Sequence, residues 1–433
     1  MTLAYDITRL ITRVLNVTPN GIDRVDYALA EHFLNGSETD RFGVIAAGLW
    51  PQLVAQDAAR AAIEGISVHW GEAKDPEEDP GFRSVVAHLT GDAGKAIGEK
   101  APAARIVEGR SGQVSGVLRW IARYGLPIGH APQKLLPKSA CYLNVSQFPL
   151  WIPRYFEWLE QRRDVKAVFF IHDLLPLELP EYFRPDEYAR HHRRLINLAR
   201  FGTAALVTSE VVKSTLSECL QGLGRADMPI FVAPMPAAPV FTTARVRDAR
   251  LASHPYFVCC GTIEPRKNHL MLLHVWRELV RRHGPDTPKL VLVGVRGWNY
   301  DPVVDLLERS PALRDRVIEV AGLTSPALKR LLDNACALLM PSFAEGYGLP
   351  VREALAAGTK VLASDIPAFR EIIGENLQLL SPLDGEAWLS AIRALGARGP
   401  EEPQPSGDMS AVDGKSGGWP AYFDAIGGFL AGI

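Results

Sequence analysis

Charge of one sign is missing from this 433-residue chain: 47 lysines and arginines stand against 49 aspartates and glutamates, a formal net charge of -2. Proteins that track a phosphate backbone usually carry a strong basic excess, so no nucleic acid is expected among the partners, and any basic surface must be local. Cysteine is scarce too. Cys141, Cys219, Cys259, Cys260 and Cys336 are an odd number without a CxxC pair or a zinc spacing. That points away from a disulfide framework or a metal site and toward a reducing, cytoplasmic setting. No uninterrupted apolar run approaches the roughly 18 residues of a membrane span. The first residues, MTLAYDITRL, lack the basic-then-apolar layout of a secretory signal. A soluble or peripheral protein is expected.

What the chain does have is length and apolar content. At 47% hydrophobic it is too long for one ordinary core and long enough for two. Short apolar runs alternate with helix-length segments, the pattern of parallel α/β layers. VKAVFFIHD (Val165–Asp173), TAALVTSE (Thr203–Glu210) and PIFVAPMP (Pro229–Pro236) form a first series, with EYARHHRRLINLARF as a helix between the first two. Such continuously apolar runs suit strands buried on both faces. After Pro239 a polar connector, VFTTARVRDARLASH, leads to a second series: YFVCCGT (Tyr256–Thr262), KLVLVGV (Lys289–Val295), RVIEVAGL (Arg316–Leu323), CALLMPS (Cys336–Ser342) and KVLASD (Lys360–Asp365). This second series reads as a complete Rossmann-like domain. Residues 70 to 110 read as loops and short helices. The Pro-, Gly- and Ser-dense stretch from Gly396 to Gly418 reads as a linker. The apolar WPAYFDAIGGFLAGI that follows is expected to pack back on the first domain. The expected division is 1–245, 246–400, and 401–433 as linker and returning helix.

Two stretches carry chemistry. In PSFAEGYGLPVREALAAG (Pro341–Gly358), a strand ends, a glycine-rich turn follows, and Pro350 opens a helix where a missing N–H costs nothing. The amides of Gly346, Tyr347, Gly348 and Leu349 then sit at a helix N-terminus, which favours an anion, phosphate above all. Glu345 and Glu353 beside a phosphate need donors to accept, and the hydroxyls of a ribose and a sugar supply them. Taken alone, the stretch also reads as a plain turn followed by an exposed first-turn acid. In FVCCGTIEPRKNHL (Phe257–Leu270), Gly261 ends a strand, and Arg266 and Lys267 precede a helix starting near the capping residue Asn268. Cations at the C-terminal edge of a parallel strand lie where such a sheet binds ligand. They suit a leaving diphosphate, although an Arg-Lys pair at a helix start is also a common solvated feature.

Together GTIEPRKN and EGYGLPVREALAAG resemble the basic phosphate loop and the E-x7-E motif of the retaining GT-B glycosyltransferases of family 4. The resemblance covers most of residues 255 to 375. Upstream, TPNGIDRV (Thr18–Val25) is similar to the glycine loop and arginine with which some bacterial members open, and FFIHDLLPLELPEYF (Phe169–Phe183) to their histidine loop. AALVTSEVVKSTL (Ala204–Leu216) fits the segment before the crossover between domains. The TIEPRKN and HDLLP forms resemble those of bacterial mannosyl- and rhamnosyltransferases of capsule or O-antigen synthesis.

The resemblance implies an α/β GT-B fold, two Rossmann-like domains facing across a cleft, with acceptor bound by the first and nucleotide sugar by the second. It gives Arg266 and Lys267 to the diphosphate, Glu353 to the ribose, and Glu345 to the donor sugar, with Gly261 and the amides of Gly346 to Leu349 around sugar and phosphate. His172 falls near donor sugar and acceptor hydroxyl, Gly21 at a close backbone approach to the donor, and Arg24 and Asp173 beside phosphate or acceptor. One departure is Thr262, where many members carry an arginine. More of the leaving charge then rests on Arg266 and Lys267. The implied reaction is a front-face retaining transfer from a nucleotide diphosphate sugar, GDP-mannose by family likeness, to a saccharide or lipid-linked saccharide. No cofactor or metal is required by that scheme, and no DxD or His-rich ligand set occurs.

Other features have plainer readings. Asp301 and Asp305 are spaced for a helix surface, His191–Arg194 for a solvated helix face, and Cys259 with Cys260 for a buried strand. His172 with Asp173 also reads as a structural pair. The basic and apolar stretch from Arg105 to Lys138 (Arg110, Arg119, Trp120, Arg123, Tyr124 among it) fits peripheral contact with an anionic membrane face, or an amphipathic helix packed on the first sheet. Two other functions share the architecture: a sugar-nucleotide epimerase, which converts donor without acceptor, and a non-catalytic nucleotide-sugar-binding protein, which need not keep Glu345 and the basic pair.

Overall fold

The computed structural model describes residues 1–13, 21–36, 40–47, 50–70, 75–91, 130–399 and 417–433. By contact they fall into two units. The first takes the described residues of Met1–Gly71, Glu108–Met235 and Trp419–Ile433; the second takes those of Glu72–Val107 and Pro236–Gly418.

The second unit is a six-stranded, wholly parallel sheet of β8 (Tyr256–Cys260), β9 (Lys289–Val293), β10 (Val317–Val320), β11 (Ala337–Met340), β12 (Val361–Ser364) and β13 (Leu377–Leu380), in the order β10-β9-β8-β11-β12-β13. The continuous apolar runs have the cause expected for them. Side chains alternate across a strand, so Tyr256, Val258 and Cys260 enter one buried cluster with Leu338 and Val361. Phe257 and Cys259 enter another, with Leu339 and Trp276. Each such side chain contributes about 1.5–3 kcal/mol on full burial. The vicinal cysteines are packing residues on opposite faces.

The first unit is a seven-stranded sheet of β1 (Leu3–Asp6), β2 (Arg41–Ala47), β3 (Trp50–Ala55), β4 (Cys141–Asn144), β5 (Lys166–Ile171), β6 (Ala204–Val207) and β7 (Ile230–Val232), in the order β3-β2-β1-β4-β5-β6-β7. Only β3 is antiparallel to its neighbour. The returning C-terminal helix, Gly418–Gly432, belongs to this unit. It buries Tyr422, Ile426 and Leu430, and stacks Phe423 on His32 and Phe429 on Phe231 at centroid distances of 4.1 and 4.9 Å.

Two stretches differ from expectation. The described part of 70–110 holds the helix Pro80–Thr90, which is part of the second unit: Phe82, Val85, Val86 and Leu89 enter a core with Val320, Leu323 and Leu328. Asp79 fixes it by accepting from Gly81 N at 2.9 Å with one oxygen and from Thr324 N at 2.8 Å with the other. The polar connector after Pro239 is also no free linker. Phe241 is fully buried, Val246 N donates to Asp333 Oδ2 at 3.0 Å, and Asp248 N to Asn334 Oδ1 at 2.9 Å. The break therefore falls at Met235–Pro236 rather than at 245. Most of the 105–138 stretch and of the 396–418 linker lies outside the described residues.

Candidate functional site

Strand order decides where the second unit offers a site. Its order is that of a doubly wound Rossmann sheet, in which chain direction reverses between the first and fourth strands and ligands sit at that switch point, beyond the carboxyl ends. Here those strands are β8 and β11. The loops that leave them are 261–268 and 341–348, the two stretches singled out by sequence.

The loops are tied together. Phe343 N donates to Arg266 O at 2.8 Å, and Asn268 Nδ2 donates to Pro341 O and Pro382 O at 3.1 and 3.0 Å. Asn268 stands at the cap position of the helix His269–His283, but in a left-handed conformation (φ 56°) and without a side-chain cap bond. Its amide clips the two loops instead. Gly261 takes φ 145°, and a Cβ on Gly294, in the loop after β9, would lie 2.0 Å from the Gly261 carbonyl oxygen. The phosphate-type loop thus needs two glycines, one for conformation and one for close approach. Gly348 has φ 83°, and a Cβ there would meet Phe369 at 2.6 Å. The helix Leu349–Ala356 begins directly after it, one residue before Pro350.

Arg266, Lys267 and Glu345 converge. Lys267 Nζ donates to Glu345 Oε1 at 2.5 Å, Arg266 Nη1 to Glu345 Oε2 at 2.9 Å and to Ala344 O at 3.0 Å, and Ser342 Oγ to Glu345 Oε1 at 2.7 Å. Glu264 lies 2.7 Å from Arg266 Nε. Burial raises the Glu345 carboxyl, but Lys267 and Arg266 outweigh it and hold it at about 2. The acid is ionised at neutral pH and spans the two cations, an arrangement closer than separate diphosphate and sugar contacts suggest. Glu353 is buried on the helix that follows, and the Arg352 guanidinium lies 4.4 Å over the Tyr347 ring. His269, buried at the start of its helix, is pushed down to about 4 by burial and then by Lys267.

His172, Asp173, Gly21 and Arg24 belong to the first unit. The His172 ring is buried, stacks on Phe170 at 4.6 Å, and donates from Nε2 to Val145 O at 2.7 Å; burial pushes it down to about 4. Its side-chain partner is a backbone carbonyl, not Asp173, whose Oδ1 accepts from Leu175 N at 3.3 Å. Gly21 is the exposed first residue of the helix Gly21–Asn35, and Arg24 is half-buried one turn on. The rest of TPNGIDRV before Gly21 lies outside the described residues.

Sequence reading missed Ser342 and Gly294. Ser342 stands three residues before Glu345, a spacing that allows a local hydroxyl-to-carboxylate bond. Gly294 closes an apolar strand run but gives no sign of which backbone it faces. It also misjudged His191–Arg194: His192 and Arg193 are exposed, but His191 is buried and Arg194 half-buried on the helix Glu187–Phe201. Asp301 and Asp305 are exposed helix residues as expected. No group of three or more potential metal ligands occurs among the described residues, and none of their helices is long and apolar enough to cross a membrane.

Comparison with known proteins follows the same division. Residues 254–397, the stretch from β8 through the helix Gly385–Arg398, match the family described as Glycosyl transferases group 1. The serotype-specific mannosyltransferase WbdA of Escherichia coli is 32% identical over 251 residues, covering 53% of this chain and 29% of that protein. The O-antigen chain mannosyltransferase B of Escherichia coli is 28% identical over 227 residues, covering 51% and 59%. The chain thus spans less than two thirds of the length of these curated relatives. Among solved structures, Anabaena HepE in complex with UDP and glucose superposes with a TM-score of 0.61 at 13% identity, covering 100% of both chains. Sucrose-phosphate synthase from Thermosynechococcus elongatus gives 0.60 at 18%, covering 100% and 98%. The fold is GT-B, α/β with two Rossmann-like domains, and the family match and relatives support a glycosyltransferase.

Proposed function

We propose that the protein is a retaining hexosyltransferase of the family 4 type. It moves a hexose, mannose from GDP-mannose, to a saccharide or lipid-linked saccharide acceptor in surface polysaccharide synthesis, on the cytoplasmic side of a membrane. The observation that carries this reading is the Arg266–Glu345–Lys267 cluster at the β8/β11 switch point, beside the N-terminus of the helix Leu349–Ala356. The mannosyltransferase relatives support the sugar, and the UDP and glucose in the HepE complex support a nucleotide sugar as donor class.

In the proposed reaction the bond from the sugar anomeric carbon to the diphosphate oxygen breaks, and the acceptor oxygen bonds to that carbon on the same face. The acceptor proton passes to the departing phosphate. Arg266 and Lys267 stabilise the charge that grows on the diphosphate, with the amides of Gly346 to Leu349 and the helix dipole adding to it. Gly261 and Gly294 let the phosphate loop approach without side chains in the way. Glu345, ionised between the cations, holds both in place and accepts from a donor-sugar hydroxyl; Glu353 accepts from the ribose. The chain's own groups suffice for these roles, and His172 acts by fixing the β5 end that carries Asp173.

The test is a thermal-shift panel of nucleotides and nucleotide sugars. A ligand at 100 times its dissociation constant adds about 2.7 kcal/mol, so GDP and GDP-mannose should raise the midpoint above UDP and dTDP. The reverse order ends the GDP-mannose assignment, and no shift with any nucleotide ends the transferase reading. Acceptor-independent conversion of the donor sugar would favour an epimerase.

A further inference from the structure

Three lysine or arginine side chains are buried among the described residues, and all three lie in the second unit: Lys267, Lys329 and Arg352, at 8%, 4% and 9% exposure. A buried charge is costly unless the protein pairs it. Two of the three are paired. Lys267 Nζ lies 2.5 Å from Glu345 Oε1, and Lys329 Nζ lies 2.5 Å from Asp333 Oδ1. Arg352 stands in no ion pair, and its buried Nε has no hydrogen-bond partner. What its guanidinium meets is the face of the Tyr347 ring, at 4.4 Å.

Local geometry explains how the arginine comes to be there. Gly348 is the N-cap of the helix Leu349–Ala356, so Tyr347 stands just before the cap and Arg352 is the fourth helical residue. A pair at those two positions is ordinarily an apolar staple that fixes how the chain enters a helix. With arginine as its second member the staple still holds, through the ring face and the side-chain stem. A methionine or leucine would do the same without a charge, and the charge is doubly out of place. The first turn of a helix is its positive end, where a cation is disfavoured. The protein also supplies no counter-charge. Arg266 and Lys267 share Glu345, and Glu264 lies 2.7 Å from Arg266, so acids of the protein answer them. Glu353 follows Arg352 directly, but successive helical residues do not face each other, and no ion pair joins the two. An anion at the N-terminus of this helix is the partner that such a cation lacks. Because the guanidinium is buried, water and salt screen it little.

We infer that Arg352 is a specificity-determining residue whose counter-charge is the ligand: across the Tyr347 turn it answers the diphosphate of the donor, and it gives the site a preference for a nucleoside diphosphate over the monophosphate. The preference follows because the attraction grows with the charge held at the helix N-terminus. The inference rests on the proposed transferase and adds a third cation to its donor site.

The test is titration calorimetry of the full chain with GDP, GMP, UDP and UMP, on the native protein, Arg352→Met and Arg352→Lys. Methionine keeps an unbranched stem against Tyr347 and removes the charge; lysine keeps the charge. The native protein should bind the diphosphate of one base at least about ten-fold more tightly than its monophosphate. Arg352→Met should weaken that diphosphate by about ten-fold and leave the monophosphate within about two-fold, the scale of one charge near a helix N-terminus. Arg352→Lys should keep the ratio within about two-fold of native. A purely structural role would weaken both ligands equally. Equal native binding of the two, a ratio unchanged in Arg352→Met, or a ratio lost as fully in Arg352→Lys, overturns the inference. Without nucleotide, hydrogen exchange of the slowest β11 amides should be no faster in Arg352→Met than in the native protein, since an unmatched charge has been removed. Faster exchange, or a variant that does not fold, makes the arginine structural and overturns the inference as well. Failure of the native protein to bind any of the four nucleotides defeats the transferase reading itself, whereas native binding with an unaltered ratio in Arg352→Met defeats only this inference.

Discussion

Replacing Glu345 by glutamine keeps the side chain's shape and removes the acid that spans the two cations. In the native protein burial raises this carboxyl, but Lys267 and Arg266 outweigh the effect and bring it from 4.5 to about 2. A depressed acid contributes stability that is fully present above its unfolded value and is lost as pH falls toward its folded value. The shift corresponds to about 3 kcal/mol. Linkage gives a loss of about 0.8 kcal/mol by pH 4 and about 2 kcal/mol by pH 3. Glutamine does not titrate, so the stability difference between native protein and Glu345→Gln should be flat above pH 6 and shrink by those amounts on acidification. Two units need not unfold together, so a whole-chain transition is the wrong assay. Hydrogen exchange of the slowest amides in β8 and β11, measured in urea from pH 3 to 6, reports the second unit alone. A difference that stays constant, or grows as pH falls, refutes the claim that the carboxylate is held by the cations.

Lys267→Ala should lower consumption of the nucleotide sugar by about 10²–10³, the cost of one preorganised charge-stabilising donor; a coupled phosphatase assay showing near-native turnover contradicts that role. Gly348→Ala combines a positive φ with a Cβ 2.6 Å from Phe369, and should destabilise the second unit by about 1–3 kcal/mol, seen as a lower thermal midpoint. An unchanged midpoint is inconsistent with the left-handed turn. Asp79→Ala removes the cap of the helix Pro80–Thr90 and its bond to Thr324, a loss of about 1–2 kcal/mol that should appear as faster exchange in residues 80–90, restored only in part in Asp79→Asn, whose amide oxygen keeps the cap while its nitrogen cannot accept from Thr324 N. Equal exchange in all three forms counts against the placement of this helix in the second unit.

Most strands that were legible in sequence are buried on both faces, β5, β6, β8, β11 and β12 among them, while the partly exposed β7 and β10 were read from their apolar runs alone. YFVCCGT, KLVLVGV, RVIEVAGL, CALLMPS and KVLASD each contain a strand of the second sheet, because a strand covered by helices on both sides has no reason to alternate polar with apolar. The strands that went unread lack a long apolar run: β1 (LAYD) and β4 (CYLN) are buried throughout, yet each ends in a polar residue after three positions. Edge strand β13 is partly exposed, with Gln378 outward, and β2 and β3 form an antiparallel pair at the other sheet's edge. β1 is four residues long and ends in an aspartate that only Tyr142, Tyr155 and Thr8 make tolerable inside.

The same reasoning explains which site residues could be read. Arg266, Lys267 and Glu345 sit in loops that leave adjacent parallel strands, so recognising β8 and β11 as the switch-point pair is enough to bring them together, although they lie some eighty positions apart in sequence. Nothing of that kind advertises the first unit's cavity. That cavity, of about 210 Å³, takes its charges from Arg9 on the six-residue helix Thr8–Arg13, from Asp173 in the loop after β5, and from the helix Glu187–Phe201, whose run of HHRR looks solvated. What distinguishes His191 and Arg194 from His192 and Arg193 is the 3.6-residue period alone, which turns one of each pair toward the protein. A helix with polar residues on its inner face is therefore a sign of a polar cavity there, since burying arginine and histidine against an apolar core without partners would cost several kcal/mol. The inward period of a charged helix is the legible trace of a site that no motif spells.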